Sequence, residues 1–329
     1  MASRARRATP GRRAALAAAL ALAAVPAAVR AQAPWPSRPV RIVVPYAAGG
    51  GTDVTTRAMA EALSARFGQP FVVENRPGAN GVVGTEGVAR SAPDGYTLLA
   101  VTSTHVMNRQ VVQPLPYDPA TDFTPVAMLA RYPLVLIANV DAPFRDVPGL
   151  ISYAKGRPGE LAQATSDAQG AYAAAQFAQA AGIQLTDVPY RGSGAYLGDL
   201  TGGHLKLAWG STATVMPLLP GGRVRVIAVT SPERSVYLPD SPSVVELGLP
   251  SAGFVGWFGL YGPARLPRPI ASELNRAITE ISATPAMQAR FSTLGVEAAP
   301  MDLEALSAVL RDEEGRWARA AAAGLLPKP

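Results

Sequence analysis

Apolar and polar positions follow two periods along this chain. Residues 40–45 (VRIVVP) are a short β-branched run ended by proline, which predicts a buried strand. A glycine-rich turn follows. Val54, Ala58, Met59, Ala62 and Leu63 then recur at helical spacing as far as Phe67, where Gly68 stops them. Residues 71–74 predict a second strand, 75–81 a second glycine turn and 82–90 a helix. Pro93-Asp94-Gly95 marks a turn before a third strand at 96–102. Strand, glycine loop, helix, strand is the rhythm of an α/β sheet. The pattern continues with strands at 134–139, 187–190, 205–209 and 224–230 and an apolar aromatic stretch at 254–261. Helices are predicted at 148–155, 171–181 and, in a short turn, 194–200. Ile270, Leu274, Ile278 and Ile281 mark one late helix; Leu303, Leu306, Leu310 and Trp317 mark the last, and their period assigns them to core packing. No repeat of solenoid period and no Ser/Gly-rich linker divides the chain. Two halves joined by crossing strands are therefore expected.

Composition changes the picture at the start of the chain. The sequence has 329 residues, 48% of them hydrophobic, enough to build a core. It carries 30 Lys and Arg against 24 Asp and Glu, but Arg4, Arg6, Arg7, Arg12, Arg13 and Arg30 all fall in the first 33 residues, which hold no acid. The remainder is balanced, so it has no electrostatic footprint for nucleic acid, and no nucleic-acid partner is expected. The Arg-rich start, the Ala/Leu/Val run at 14–29 and Ala31-Gln32-Ala33 match a secretory signal peptide, with cleavage expected after about Ala33. An uncleaved anchor is the alternative, against which the run is short for a membrane span. Arg12-Arg13 leaves the export route, general or twin-arginine, open.

Several chemistries are short of parts. There is no cysteine, which excludes disulfides, thiolate metal sites and a cysteine nucleophile. His105 and His204 are too few for a histidine metal site, and His204 reads as a loop residue. No G-x-S-x-G elbow occurs, no lysine follows a glycine as in a P-loop, and Gly78, Gly81, Gly84 and Gly87 do not space as a dinucleotide fingerprint. No cofactor or metal is expected.

What remains is the pair of glycine loops. Each follows a strand and runs into a helix start, where unpaired N–H groups and the helix dipole favour an anion without a basic side chain. Carboxylate and phosphate both fit, and both loops also read as plain tight turns. Thr52 or Asp53 is the expected N-cap of the first helix, with Asp53 capping its own helix while the preceding backbone holds the ligand.

These residues also carry a resemblance. Tyr46-Ala47-Ala48-Gly49-Gly50-Gly51-Thr52-Asp53 and Glu74-Asn75-Arg76-Pro77-Gly78-Ala79-Asn80-Gly81 are similar to the two glycine motifs of the extracytoplasmic solute receptors of tripartite tricarboxylate transporters, the Bug or TctC family. Pro93-Asp94-Gly95-Tyr96-Thr97, Pro116-Tyr117-Asp118, Val188-Pro189-Tyr190-Arg191-Gly192, Leu238-Pro239-Asp240 and Trp257-Phe258-Gly259-Leu260 continue it in order. The resemblance implies a type II periplasmic-binding-protein fold: two α/β lobes, joined by crossing strands, with the ligand cleft between them. Residues 34–131 with 255–329 would form the first lobe and 132–254 the second. It implies a monomeric periplasmic receptor, not an enzyme, that captures a small carboxylate and delivers it to membrane transporter subunits. A sensory module and an exported carboxylate-processing enzyme are the alternatives.

By the same resemblance, Tyr46, Ala48, Gly49, Gly50, Thr52, Asp53, Asn80 and Gly81 would grip one carboxylate. Ser103, Thr104 and His105 would end the third strand in the cleft, with His105 either near the ligand or in the scaffold. Arg191 and Gly192 would contribute a countercharge or only backbone, and Ser211 would line the pocket. The sequence departs from the family at Ala164-Thr165-Ser166-Asp167-Ala168-Gln169-Gly170-Ala171-Tyr172, where a longer serine- and glycine-rich segment with a histidine is usual. Ser166 and Asp167 would meet the far end of the ligand. Asp167 reads first as a helix N-cap; pointing inward, it would favour an ammonium group.

Overall fold

A computed structural model describes residues 35–326. The predicted signal peptide therefore lies outside the described residues. Strand β1 (Val40–Val44) leads into helix α1 (Gly51–Phe67), β2 (Phe71–Asn75), α2 (Val82–Ala89), β3 (Thr97–Thr102) and α3 (Thr104–Val111). The long strand β4 (Phe123–Asn139) follows, and then α4 (Val147–Lys155), β5 (Ala162–Thr165), α5 (Ala168–Ala181), β6 (Thr186–Pro189) and α6 (Leu197–Thr201). The chain continues through β7 (Leu207–Ser211), α7 (Thr212–Val215), β8 (Val224–Val229) and β9 (Val255–Pro263). It closes with α8 (Arg268–Ser282), α9 (Pro285–Leu294), β10 (Glu297–Ala298) and α10 (Leu303–Ala322).

The strands run in the order β2-β1-β3-β9-β4-β7-β5-β6, with β8 and β10 also paired to β4. Strands β1, β2 and β3 are mutually parallel, as the helices that return between them require. So are β5, β6 and β7. Strand β4 belongs to both groups. Phe123 to Pro133 pairs antiparallel with β9, and Leu134 to Asn139 pairs with β7 and β8. The partner exchange between Pro133 and Leu134 divides the sheet into two halves. Val40, Ile42, Val43, Leu98 and Leu99 are buried in the first; Val135, Ile137, Ala164, Leu200 and Ala208 are buried in the second.

Hydrophobic pattern predicted only the second part of β4. Its first part holds Pro125, Arg131 and Pro133, and its register with β9 shifts twice, after Pro125 and after Met128. Prolines that donate no ladder bond and the irregular register hide the strand from a period-two reading. Thr230 fastens the exchange point. The Leu134 N–H donates to Thr230 Oγ1 at 2.9 Å, and that hydroxyl donates to the Phe254 carbonyl at 2.6 Å. One buried side chain thus ties β4 to the segment entering β9. Among the described residues no helix is long and apolar enough to cross a membrane.

Candidate functional site

The two half-sheets face each other across a narrow cleft with a cavity volume of about 20 Å³, room for roughly one water molecule. The first half supplies the loop after β1, the start of α1, the end of β3, and Phe258 of β9. The second supplies the turn before α5, the 192–193 turn, and the end of β7. Tyr132 and Leu134 of β4 form the floor at the exchange point.

On the first wall, helix α1 starts two or three residues earlier than its polar residues suggest. Gly50 is its N-cap, in extended backbone, and the Val54 N–H donates to the Gly50 carbonyl at 3.0 Å. Neither Thr52 nor Asp53 caps the helix, which corrects that expectation. Asp53 reaches back instead and accepts the Gly49 N–H at 2.9 Å. The same carboxylate pairs with Arg57 at 3.0 Å and accepts from Asn75 Nδ2 at 3.0 Å. Its charge is thereby compensated inside its own half. Gly49 is held against Asp53, while the Gly50, Thr52 and Asp53 amides find no acceptor among the described residues. The Gly51 N–H crosses the cleft to Thr214 Oγ1 at 3.1 Å.

The other wall closes on this loop through backbone. The Ala47 N–H donates to the Arg191 carbonyl at 3.1 Å. Gly192 adopts a φ of +115°, and a Cβ there would lie 2.5 Å from the Ala47 nitrogen, so only glycine permits the approach. Ser211 N-caps α7 by accepting the Thr214 N–H at 3.2 Å. Asp167 N-caps α5 by accepting the Gly170 N–H at 2.9 Å, and its second oxygen lies 3.5 Å from Thr102 Oγ1. Burial pushes the Asp167 carboxyl up to about 6, although the Gly170 N–H and the Thr104 and Thr102 hydroxyls pull the other way. The Tyr46 and Tyr132 hydroxyls are raised by burial first and by the Asp167 charge second, so both stay protonated.

The cleft thus brings together Tyr46, Gly50, Thr52, Asp53, Ser166, Asp167, Gly192 and Ser211 of the expected residues. The others lie elsewhere. Ala48 and Gly49 are on the exposed crest of the first loop. Asn80 and Gly81 stay behind the cleft: the Asn80 carbonyl accepts from Asn108, and the Gly81 N–H turns back to the Gly78 carbonyl at 2.9 Å. The second glycine loop braces the first, since Asn75 Nδ2 donates to the Tyr46 carbonyl at 3.1 Å. Ser103 and Thr104 are fully buried and serve contact between the halves. The Ser103 hydroxyl donates to Gln169 Oε1, and the Gln169 N–H to Thr104 Oγ1 at 3.4 Å. His105 is scaffold, packed among Tyr117, Phe123 and Tyr261 with ring centroids 4.8–5.9 Å away. Burial lowers its pKa to about 3, with the Pro119 backbone opposing, so it is neutral. The Arg191 side chain is exposed and only its carbonyl joins the closure.

Sequence reasoning missed Thr102, Tyr132, Gln169, Ser193 and Phe258. Tyr132 stacks on Phe258 at 4.1 Å and accepts from Gln169 Nε2 at 2.6 Å. Nothing in local pattern separates these from ordinary core and turn residues. Among the described residues, no Lys, Arg or His lines the cleft, and no group of three or more His, Cys, Asp or Glu is placed to hold a metal ion.

Two α/β lobes joined by crossing strands around such a cleft define the type II periplasmic-binding-protein fold, and with it the class of solute-binding receptors. A family model described as the tripartite tricarboxylate transporter family receptor matches residues 55–323, and the chain belongs to that family. Among similar solved structures is periplasmic binding protein BugD, with 32% identity, a TM-score of 0.84, and coverage of 89% of this chain and 99% of that one. The R. palustris protein Rpa4515, solved with adipate, has 34% identity and a TM-score of 0.85 over 90% of this chain and all of its own. MatC from Rhodopseudomonas palustris, solved with bound malate, has 29% identity and a TM-score of 0.82, covering 87% of this chain and 100% of that one.

Proposed function

We propose that this receptor works in the periplasm as a monomer, captures a small organic carboxylate between its lobes and hands it to the membrane subunits of a tripartite transporter. Lobe 1 would comprise residues 34–131 and 255–329, and lobe 2 residues 132–254, turning about Pro133 and Leu134. The carboxylate would be held by main-chain N–H groups of Gly50 and Thr52 at the start of α1, directly or through a water. The observation that carries this is the set of unpartnered amides at the N-terminus of a 17-residue helix, facing a cleft without a basic side chain. The positive end of the helix dipole then substitutes for a cationic side chain. Adipate and malate in two solved relatives support a carboxylate over a phosphate. A charged hydrogen bond contributes ~1.5–3 kcal/mol net, so a few of them with closure approach the ~8 kcal/mol of a micromolar complex. Closure follows because a ligand touching both lobes favours the closed population.

Gly50→Asp tests this reading. Aspartate is a good N-cap and the Gly50 backbone is extended, so α1 should persist. Its carboxylate would occupy the amides that the ligand needs. A Cβ there would lie 3.2 Å from Ser193 Oγ and 3.3 Å from the Gly194 nitrogen of the other wall, so Gly50→Asn, of equal size and uncharged, separates crowding from charge. A thermal-shift screen with mono-, di- and tricarboxylates should show stabilisation of the wild type and none of the aspartate variant, whose own melting temperature is retained. Equal stabilisation of the wild type and the aspartate variant would remove the first loop from the site.

A further inference from the structure

The two walls of the cleft have opposite polarity. One presents the N-terminal amides of α1. The other presents Asp167, a carboxylate with no cationic partner in any ion pair among the described residues. The two aspartates of the cleft differ in this respect. Asp53 is neutralised by Arg57 and further tied by Asn75 and the Gly49 amide. Asp167 spends one oxygen on its own helix and otherwise meets only uncharged hydroxyls, that of Thr104 and, at the long distance of 3.5 Å, that of Thr102. A carboxylate offers about four acceptor positions, so acceptor capacity is left over toward the cleft. Its negative charge is felt by Tyr46, Tyr132 and Tyr196, none of which supplies a countercharge. A second carboxylate at this end would meet like charge in a half-enclosed site, whereas an ammonium would be attracted.

We propose that the cleft selects a carboxylate that carries an ammonium group away from its bound carboxylate end, with Asp167 pairing with that ammonium. This rests on the carboxylate-receptor reading above and adds the chemical class of the far end. Dicarboxylate ligands such as those in the two solved relatives would then be disfavoured here by the Asp167 charge.

Matched pairs of ligands test it by calorimetric titration of the purified protein at pH 7.5: adipate against 6-aminohexanoate, and succinate against 4-aminobutanoate. The wild type should bind at least one ammonium-bearing member ~10–100-fold more tightly than its partner, a preference of the size expected for one partly screened charge. Asp167→Asn keeps a competent N-cap for α5 and should erase or invert that preference while retaining carboxylate binding. Wild-type preference for the dicarboxylate member, or a preference that Asp167→Asn leaves unchanged, overturns the inference and leaves the carboxylate reading standing. Binding of neither member of either pair, with no response to other carboxylates, overturns both. A wild-type preference for the ammonium member that Gly50→Asp leaves intact contradicts the α1 carboxylate site on which the inference depends.

Discussion

Gly194→Ala isolates closure from ligand contact. Gly194 lies in the turn after Gly192, has no left-handed backbone requirement and does not line the cleft. In an open receptor, alanine there costs nothing and stabilises by ~0.4–1 kcal/mol through the unfolded chain. In the closed form, its Cβ would land on the Ala48 carbonyl oxygen, 2.9 Å from the Ala48 carbonyl carbon and 3.1 Å from the Gly50 nitrogen. All three atoms are backbone of the opposite lobe, so no rotamer relieves the clash. The lobes must retreat by roughly 1 Å, which takes the Ala47–Arg191 and Gly51–Thr214 bonds, both 3.1 Å, beyond hydrogen-bond range. Losing two such bonds at ~1 kcal/mol each, with overpacking of ~1–3 kcal/mol, disfavours closure by about 3–5 kcal/mol. Apparent affinity should fall on the order of 10²–10⁴-fold, in proportion to the closed population. Calorimetric titration reads that loss, and small-angle scattering reads the missing compaction on adding ligand. The melting temperature without ligand should hold or rise slightly. An unchanged dissociation constant with normal compaction would refute the reasoning, since closure would then not need this contact.

Two further outcomes follow from the scaffold. His105 has its pKa lowered to about 3 from an ordinary value near 6.5, so the unfolded chain takes up a proton that the native site refuses. Its contribution is present in full above about pH 6.5 and is lost as pH falls toward 3, at about 1.4 kcal/mol per unit. His105→Phe, whose ring suits the same aromatic surroundings, should bind ligand normally and lose less melting temperature than the wild type between pH 7.5 and 4.5; equal losses would show that the ring does not titrate this way. Thr230→Val removes the hydroxyl that ties Leu134 to Phe254 and leaves a buried N–H and carbonyl short of partners, at a cost of about 2–4 kcal/mol. Its melting temperature should fall by roughly 5–10 °C in differential scanning calorimetry, and a fall under ~2 °C would mean that the crossing strands do not depend on that tie.

How far the site was legible depends on distance along the chain. The strand–glycine–helix unit at β1 and α1 was readable because each part announces itself locally: β-branched run, glycines, helical spacing. So was the N-cap role of Asp167, since capping is a contact between residues three apart. The cap of α1 was misread because Thr52 and Asp53 look like caps, whereas Asp53 is engaged upstream and sideways by Gly49, Asn75 and Arg57. Tyr132, Gln169 and Phe258 escaped notice because their place in the cleft is decided where β4 changes partners, a property of no single segment. Similarity of loop sequence made the two glycine turns look equivalent. Only packing separates the turn that opens on the cleft from the one that supports it.

The central claim is that peptide N–H groups at the start of α1 hold the ligand's carboxylate. The most direct measurement is a crystal structure of the receptor with the compound that stabilises it best in the thermal screen. A carboxylate oxygen within hydrogen-bond reach of the Gly50 or Thr52 nitrogen, or one water away, is the expected result. A carboxylate bound elsewhere, or neutralised by an arginine side chain with those amides left unused, would contradict it.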